Sequence, residues 1–128
     1  MAAICIERVA ARVEGMRVNA ENLGAPQLQV VVGAAPAALA DLPRPDAIFI
    51  GGGGSQPGVM AAALAALPAG GRLVANAVTL EMEAILADCH TTHGGQLRRI
   101  AVQHAEAVGR LTGWRPAMPV TQWMWRKP

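Results

Sequence analysis

A buried strand followed by four glycines is the feature that most constrains this chain. Ala47–Ile50 is a continuous apolar run with two isoleucines and one phenylalanine, which is typical of a strand covered on both faces. Residues 51–54 are all glycine, and the alanine-rich residues 59–67 predict a helix after them. In open α/β sheets, ligands bind where such strands end. The stretch therefore predicts half of a βαβ unit, with a binding site at the glycine turn.

The glycine turn by itself does not specify a ligand. Glycine has no Cβ and reaches positive φ easily, so residues 51–54 permit close approach of the backbone to a ligand. No Lys-Ser or Lys-Thr pair follows the turn, which argues against a P-loop, and the dinucleotide-binding glycine pattern is not cleanly placed. A flexible turn without a ligand is the alternative interpretation.

Composition narrows the class of protein. The chain has 128 residues, of which 52% are hydrophobic, which predicts one domain with a substantial core. A net charge of +2 provides no field suited to nucleic acid. There is neither a membrane-length apolar stretch nor a signal-peptide pattern. Two cysteines, Cys5 and Cys89, cannot make a disulfide framework. We expect a cytoplasmic protein without a nucleic-acid or membrane partner.

The order of predicted elements indicates an α/β fold. Strands are predicted at residues 3–6, 28–32, 47–50 and 72–78, and helices at 9–23, 36–42, 59–67 and 80–93, the last capped by Thr79. This alternation predicts a parallel sheet with helices on its faces. The last third differs, because residues 96–103 and 120–125 look like strands without a helix between them. Such strands can pair antiparallel. Residues 106–119, with two glycines and two prolines, predict an irregular loop.

Several side chains are candidates for a role, each with a simpler alternative. Glu7 follows the first strand, where nucleotide-binding α/β folds hold a ribose, but a solvated strand end or a helix-capping charge is the favoured explanation from position alone. Cys89, His90 and His93 have helical spacing, yet no fourth ligand is near in sequence, so we expect a polar helix end and no metal site. Trp123 and Trp125 share one face of a strand, which favours core or subunit contact.

Three segments together resemble a known family. They are G-A-A-P-A-A-L at 33–39, I-F-I-G-G-G-G-S at 48–55 and R-L-V-A-N-A-V-T-L-E at 72–81. They are similar to the carboxyl-terminal domain of the precorrin-6Y methyltransferases (decarboxylating), which are class I S-adenosylmethionine-dependent methyltransferases. H-G-G-Q-L at 93–97 and Gly109-Arg110 also fit bacterial members of that family. The resemblance covers essentially the whole chain.

The resemblance implies a Rossmann-like class I methyltransferase fold, with a mostly parallel sheet closed by an antiparallel hairpin. Residues 4–7 align with the family's second strand, so the family's first strand and its glycine-rich loop have no counterpart in this sequence. The chain is therefore expected to be an amino-terminally shortened domain. Because the family's domain resembles a stand-alone tetrameric enzyme, we also expect a homo-oligomer.

The resemblance also implies a function. The family uses S-adenosylmethionine to methylate carbon 15 of a precorrin tetrapyrrole and removes carbon dioxide from an acetate side chain, in cobalamin (vitamin B12) biosynthesis. By resemblance, the cofactor would contact Glu7, Gly33, Ala34, Ala35, Gly51 and Gly52. The precorrin would contact Gly53, Gly54, Asn76, Thr79, Glu81 and Arg110. No catalytic acid or base is named, because methyl transfer to carbon chiefly requires two reactants held in line and the macrocycle itself can drive decarboxylation.

Two other functions are compatible with the same residues. One is a non-catalytic remnant or interaction domain that keeps the half-fold. The other is a nucleotide-binding α/β domain of a different kind, such as a dehydrogenase, although the closing hairpin argues against it.

Overall fold

The structure, a computed structural model, describes residues 2–128, which form two units. The first unit ends at Pro43 and contains a two-stranded sheet. The second runs from Arg44 to Pro128 and contains a four-stranded sheet and a separate two-stranded sheet.

The first unit is a β-α-β element. Strands β1 (Ile4–Glu7) and β2 (Gln29–Val32) pair in parallel, and helix α1 (Ala10–Asn22) connects them. Gly24 follows the helix with φ of 75°, the left-handed conformation that commonly ends a helix, as its position after the helical pattern predicts. A single 3₁₀ turn, Ala37–Leu39, stands where a longer helix was predicted over residues 36–42. Pro43 limits extension of this turn toward residue 42, since proline disfavours helical backbone in the residue before it.

The second unit is built from six strands and two helices. They are β3 (Ala47–Ile50), α2 (Val59–Ala66), β4 (Arg72–Ala77), α3 (Leu80–His93), β5 (Gln96–Ile100), β6 (Gln103–Val108), β7 (Leu111–Pro116) and β8 (Val120–Arg126). The four-stranded sheet has the order β3-β4-β8-β5. Strands β3 and β4 are parallel, whereas β8 is antiparallel to both β4 and β5. The predicted antiparallel closure of a parallel sheet is thus confirmed.

The core of the second unit lies on one face of this sheet. Along β4, burial alternates as a strand requires, so that Leu73, Ala75 and Ala77 are buried. Helix α3 contacts β4, β5 and β8, and contributes the fully buried Leu86. Trp123 on β8 is also fully buried, which agrees with the expectation of a core or subunit contact. None of the helices within residues 2–128 has the length and apolarity needed to cross a membrane.

The prediction of an irregular loop at 106–119 was wrong, because β6 and β7 form an antiparallel hairpin there. Gly109 supplies the tight turn with φ of 62°, between the paired residues Val108 and Leu111. The prolines do not interrupt the hairpin, since Pro116 is the last residue of β7 and Pro119 follows it. Proline is tolerated at such edge positions because no ladder hydrogen bond from its nitrogen is needed.

Candidate functional site

In the first unit, the carboxyl ends of β1 and β2 bring Glu7 next to the turn at residues 33–35. Glu7 lies opposite Val32 in the parallel ladder, and the Gly33 amide donates to the Glu7 carbonyl oxygen at 3.0 Å. The predicted ribose and adenine contacts therefore lie side by side, at the edge of the sheet where α/β folds bind ligands.

The Glu7 carboxylate already has protein partners. Its Oε1 accepts a hydrogen bond from the Val9 backbone amide at 2.7 Å, just before α1 begins. Its Oε2 lies 3.8 Å from Arg12 Nη1, and the side chain is 20% exposed. Oε1 therefore stabilises the turn from β1 into α1, although it does not cap the first turn of the helix. A carboxylate has about four acceptor sites, so it retains capacity for a ribose hydroxyl.

The turn after β2 offers free amides in a small space. The Gly33 amide is used by Glu7, but the amides of Ala34 and Ala35 have no backbone acceptor within residues 2–128. A Cβ at Gly33 would come within 3.0 Å of the Ala38 Cβ, so the turn is closely packed as well as small. These features fit the edge of an adenine ring, with the free donors at Ala34 and Ala35.

In the second unit, the carboxyl ends of β3 and β4 enclose a groove of about 220 Å³. It is lined by the glycine turn, the end of β4, the start of α3 and the start of β8, namely Gly51, Gly52, Gly53, Gly54, Ser55, Asn76, Ala77, Val78, Thr79, Met82 and Val120. The structure therefore brings together the glycines, Asn76 and Thr79. We call this feature the glycine groove.

Three of the four glycines of the groove differ in what requires them. A Cβ at Gly54 would clash with the Met82 methyl group and lie 3.0 Å from the Ile50 Cγ2. Gly53 has φ of 72°, which disfavours any side chain. Gly52 is surrounded by open space, since a Cβ added there would meet no atom within 4 Å. Packing and backbone geometry thus explain Gly54 and Gly53, while Gly52 keeps the groove open.

Helix α3 begins at the groove. Thr79 is its N-cap residue, and its Oγ1 accepts a hydrogen bond from the Met82 amide at 3.4 Å, as the sequence predicted. Two other predicted substrate contacts do not line the groove. Glu81 lies in the first turn of α3, and Arg110 lies in the turn of the β6–β7 hairpin.

A polar cluster joins the start of α3 to the strands. Glu83 accepts hydrogen bonds from the Thr121 hydroxyl at 2.7 Å and from Arg99 Nη2 at 2.9 Å. Arg99 Nε also donates to Thr121 Oγ1 at 3.3 Å. Thr121 is only 6% exposed, so its hydroxyl needs this partner. The cluster holds α3 against β5 and β8, and with it the side of the groove that α3 forms.

Sequence reasoning missed five groove residues, Ser55, Ala77, Val78, Met82 and Val120, and also the hydrogen bond from Gln122 to Asn76. Ser55 directly follows the glycines, so the glycine motif itself could have identified it as a groove residue. Val120 and Gln122 enter only through the pairing of β8 with β4, a register that single-sequence patterns do not specify.

The end of α3 is a packed helix end. His93 lies with its ring centroid 5.6 Å from that of Trp125 and 6.3 Å from that of Trp123. Burial, and then the neighbouring Asp88, raise the pKa of the Cys89 thiol above its ordinary value. In the described part of the chain, no group of three His, Cys, Asp or Glu side chains has metal-site geometry.

Comparison with known proteins identifies relatives along the whole chain. Residues 1–127 match the family model of the precorrin methyltransferase domain. A precorrin-6Y C(5,15)-methyltransferase [decarboxylating] from Sinorhizobium sp. is 60% identical over 127 residues, which are 99% of this chain and 31% of that protein. The chain thus spans about a third of the length of this curated relative.

Solved structures agree in sequence and fold. A putative precorrin-6Y C5,15-methyltransferase targeted domain from Corynebacterium diphtheriae is 46% identical, with a TM-score of 0.93 over 99% of this chain and 76% of that one. The C-terminal domain of precorrin-6Y C5,15-methyltransferase from Rhodobacter capsulatus is 48% identical, with a TM-score of 0.90 over 98% of this chain and 68% of that one. More distant S-adenosylmethionine-dependent methyltransferases share the fold alone, which is the class I methyltransferase fold. The chain therefore belongs to the precorrin methyltransferase domain family, a family of enzymes.

Proposed function

We propose that this chain is the methyltransferase domain that methylates carbon 15 of a precorrin with S-adenosylmethionine, coupled to decarboxylation of an acetate side chain, in cobalamin biosynthesis. The observation that carries the proposal is the glycine groove at the carboxyl ends of β3 and β4, in a chain 60% identical to a precorrin-6Y methyltransferase. The cytoplasmic location expected from the sequence is part of the same proposal.

The first unit holds the adenosine part of the cofactor in this proposal. Glu7 accepts a hydrogen bond from the ribose, and the amides of Ala34 and Ala35 donate to the adenine ring. Small side chains are needed at these positions because the ring approaches the backbone closely. S-adenosylmethionine supplies the methyl group that is transferred.

The glycine groove receives the reacting side of the precorrin. Gly51 and Gly52 border the cofactor, while Gly53 and Gly54 leave room for the macrocycle. Asn76 and Thr79 lie beside the glycines and present polar groups to it. Holding two reactants in line can lower a barrier by roughly 7–11 kcal/mol, so these residues act by positioning. Glu81 and Arg110 remain predicted substrate contacts that lie outside the groove lining.

The β6–β7 hairpin supports the proposed homo-oligomer. Its Val108, Leu111 and Trp114 are 65%, 77% and 72% exposed. Val108 and Leu111 share one face of the hairpin, and Trp114 lies on the other. A two-stranded hairpin is marginally stable on its own in water, and exposed apolar side chains on both of its faces favour a protein contact. We propose that a second copy of this chain covers the hairpin, in a tetramer by resemblance.

The test is activity with the proposed pair of ligands. The purified protein is incubated with S-adenosylmethionine and precorrin-6Y, and both methyl incorporation and carbon dioxide release are followed. Turnover of both kinds supports the proposal. Tight binding of both ligands without turnover would favour the non-catalytic interaction domain instead, and binding of NAD in place of S-adenosylmethionine would favour another nucleotide-binding class.

Glu7→Gln tests the cofactor assignment. Hydrogen bonds to charged acceptors contribute about 1.5–3 kcal/mol, so affinity for S-adenosylmethionine should fall about 10- to 100-fold by calorimetry. Turnover at saturating cofactor should change much less, because the ribose contact is the same in ground and transition states. Glu14→Gln is the matched control, since this carboxylate on α1 is exposed and makes only a 3.9 Å ion pair with Arg17. A loss of turnover with unchanged affinity would contradict the ribose assignment.

A further inference from the structure

A line of hydrogen bonds crosses three strands and ends at the glycine groove. Arg98 on β5 donates through Nε to Gln122 Oε1 at 3.0 Å, and Gln122 on β8 donates through Nε2 to Asn76 Oδ1 at 2.9 Å. The three residues are directly opposite one another in the ladders of β5, β8 and β4. They therefore lie on the same face of the sheet.

The chemistry of arginine determines the direction of every bond in this line. A guanidinium group has donors and no acceptor, so the Gln122 side chain must turn its oxygen toward Arg98. Its NH₂ group then faces Asn76, which must turn its own oxygen toward Gln122. The amide nitrogen of Asn76, with two N–H donors, is the group left over.

That nitrogen is available to a ligand. Asn76 lines the glycine groove, and its Nδ2 has no hydrogen-bond partner within residues 2–128. It is not among the buried polar atoms that lack a partner in the described chain, so it is reached by solvent. At this position the groove therefore presents a hydrogen-bond donor.

We propose that Arg98 is a positioning residue that acts through Gln122 to hold Asn76 as a donor, so that the groove selects ligands carrying a carboxylate or carbonyl oxygen. The identity of the natural ligand rests on the proposed function, in which the carboxylate side chains of the precorrin supply this oxygen. Neither Arg98 nor Gln122 lines the groove.

Gln122→Glu reverses the donor and acceptor in the hydrogen bond between residues 122 and 76, with little change in side-chain size. A carboxylate only accepts, so it takes the Arg98 donor on one oxygen and requires a donor from Asn76 on the other. Asn76 would then rotate and present its oxygen to the groove. Arg98→Lys is the control. Lysine also only donates hydrogen bonds, so the donor and acceptor in each bond of the line stay the same.

The first readout is nuclear magnetic resonance of the side-chain amides, titrated with sodium acetate as a carboxylate probe. In the unaltered protein, the Asn76 NH₂ should exchange rapidly with water and shift with acetate, while the Gln122 NH₂ is protected. In Gln122→Glu, the Asn76 NH₂ should exchange about tenfold more slowly, as one hydrogen bond of about 1.4 kcal/mol implies, and should not respond to acetate. Arg98→Lys should behave like the unaltered protein.

Three results would overturn the proposal. They are a protected or acetate-insensitive Asn76 amide in the unaltered protein, an unchanged Asn76 amide in a folded Gln122→Glu protein, and an Arg98→Lys protein that behaves like Gln122→Glu. If Gln122→Glu does not fold, Asn76→Asp serves in its place, since it removes the donor and should abolish the acetate response at neighbouring groove amides.

A second readout separates this proposal from the proposed function. With precorrin-6Y as substrate, Gln122→Glu should raise KM about tenfold, as the loss of one hydrogen bond of about 1.4 kcal/mol implies, and change kcat less, while Arg98→Lys stays near the unaltered protein. Absence of turnover in the unaltered protein, together with the expected amide pattern, would refute the proposed function and support the hydrogen-bond line.

Discussion

Alanine substitutions along the glycine turn separate two physical reasons for glycine, close contact at Gly54 and positive φ at Gly53, from Gly52, which has neither. Gly54→Ala would place a methyl group against the Met82 methyl and 3.0 Å from Ile50 Cγ2. Overpacking of this kind costs about 1–3 kcal/mol. Met82 is flexible but itself buried, so it has little room to move away, and we expect about 2 kcal/mol.

The neighbouring glycines supply the comparison. Gly53→Ala meets no atom within 4 Å, but φ is 72°, and the left-handed conformation costs an alanine about 1 kcal/mol. Gly52→Ala meets open space and does not have positive φ. It should be neutral, or stabilising by about 0.4–1 kcal/mol, because alanine reduces the freedom of the unfolded chain.

Thermal and denaturant unfolding measure these differences. For 128 residues, a change of 1 kcal/mol shifts Tm by about 4 °C, so Gly54→Ala should lower Tm by about 8 °C and Gly53→Ala by about 4 °C. Gly52→Ala should melt at or above the temperature of the unaltered protein. Equal Tm values for Gly54→Ala and Gly52→Ala would refute the argument that contact with Met82 requires the glycine.

Three further predictions concern the second unit and the cysteines. Leu86→Ala should lower the free energy of unfolding by about 2–5 kcal/mol, because the side chain is fully buried. Leu80→Ala, on the exposed side of the same helix, should change it by less than about 0.5 kcal/mol, and urea unfolding measures both. Burial and then the neighbouring Asp88 raise the pKa of the Cys89 thiol above its ordinary value, so the stability that the protonated thiol contributes should be complete below the ordinary thiol pKa and be lost as the pH rises through the raised one. A thiol reagent at pH 8 should therefore label the less buried Cys5 first, and equal labelling rates in the folded protein would contradict this. Trp114→Ser should shift the protein toward smaller species in analytical ultracentrifugation without lowering the stability of the monomer; an unchanged distribution would exclude this side chain from the subunit contact.

Local patterns in the sequence were sufficient for most elements and for the position of the groove. Ala47–Ile50 and Leu80–His93 have the bounds that their apolar patterns predict, and Thr79 caps α3 as its position before that helix requires. These features depend on propensity, burial period and end residues, which are all local properties. The resemblance to the precorrin methyltransferases also implied that the glycines and Asn76 lie at one site, and the ending of parallel strands at the same edge of a sheet accounts for this.

The partners of the polar groups, in contrast, depend on how the elements pair in three dimensions. The hairpin at residues 103–116 depends on a two-residue turn and on cross-strand pairing. The glycines and prolines in this segment predicted an irregular loop, because they do not reveal which residues pair across the strands. The partner of Asn76 lies 46 residues away, and a shift of one residue in the register of β8 would turn Gln122 to the opposite face. Likewise, the Glu7 carboxylate is oriented by the Val9 amide, a contact that exists only once the chain turns from β1 into α1. Register and chain direction therefore decide which donors and acceptors remain free for a ligand, because each hydrogen bond made within the fold removes one of them.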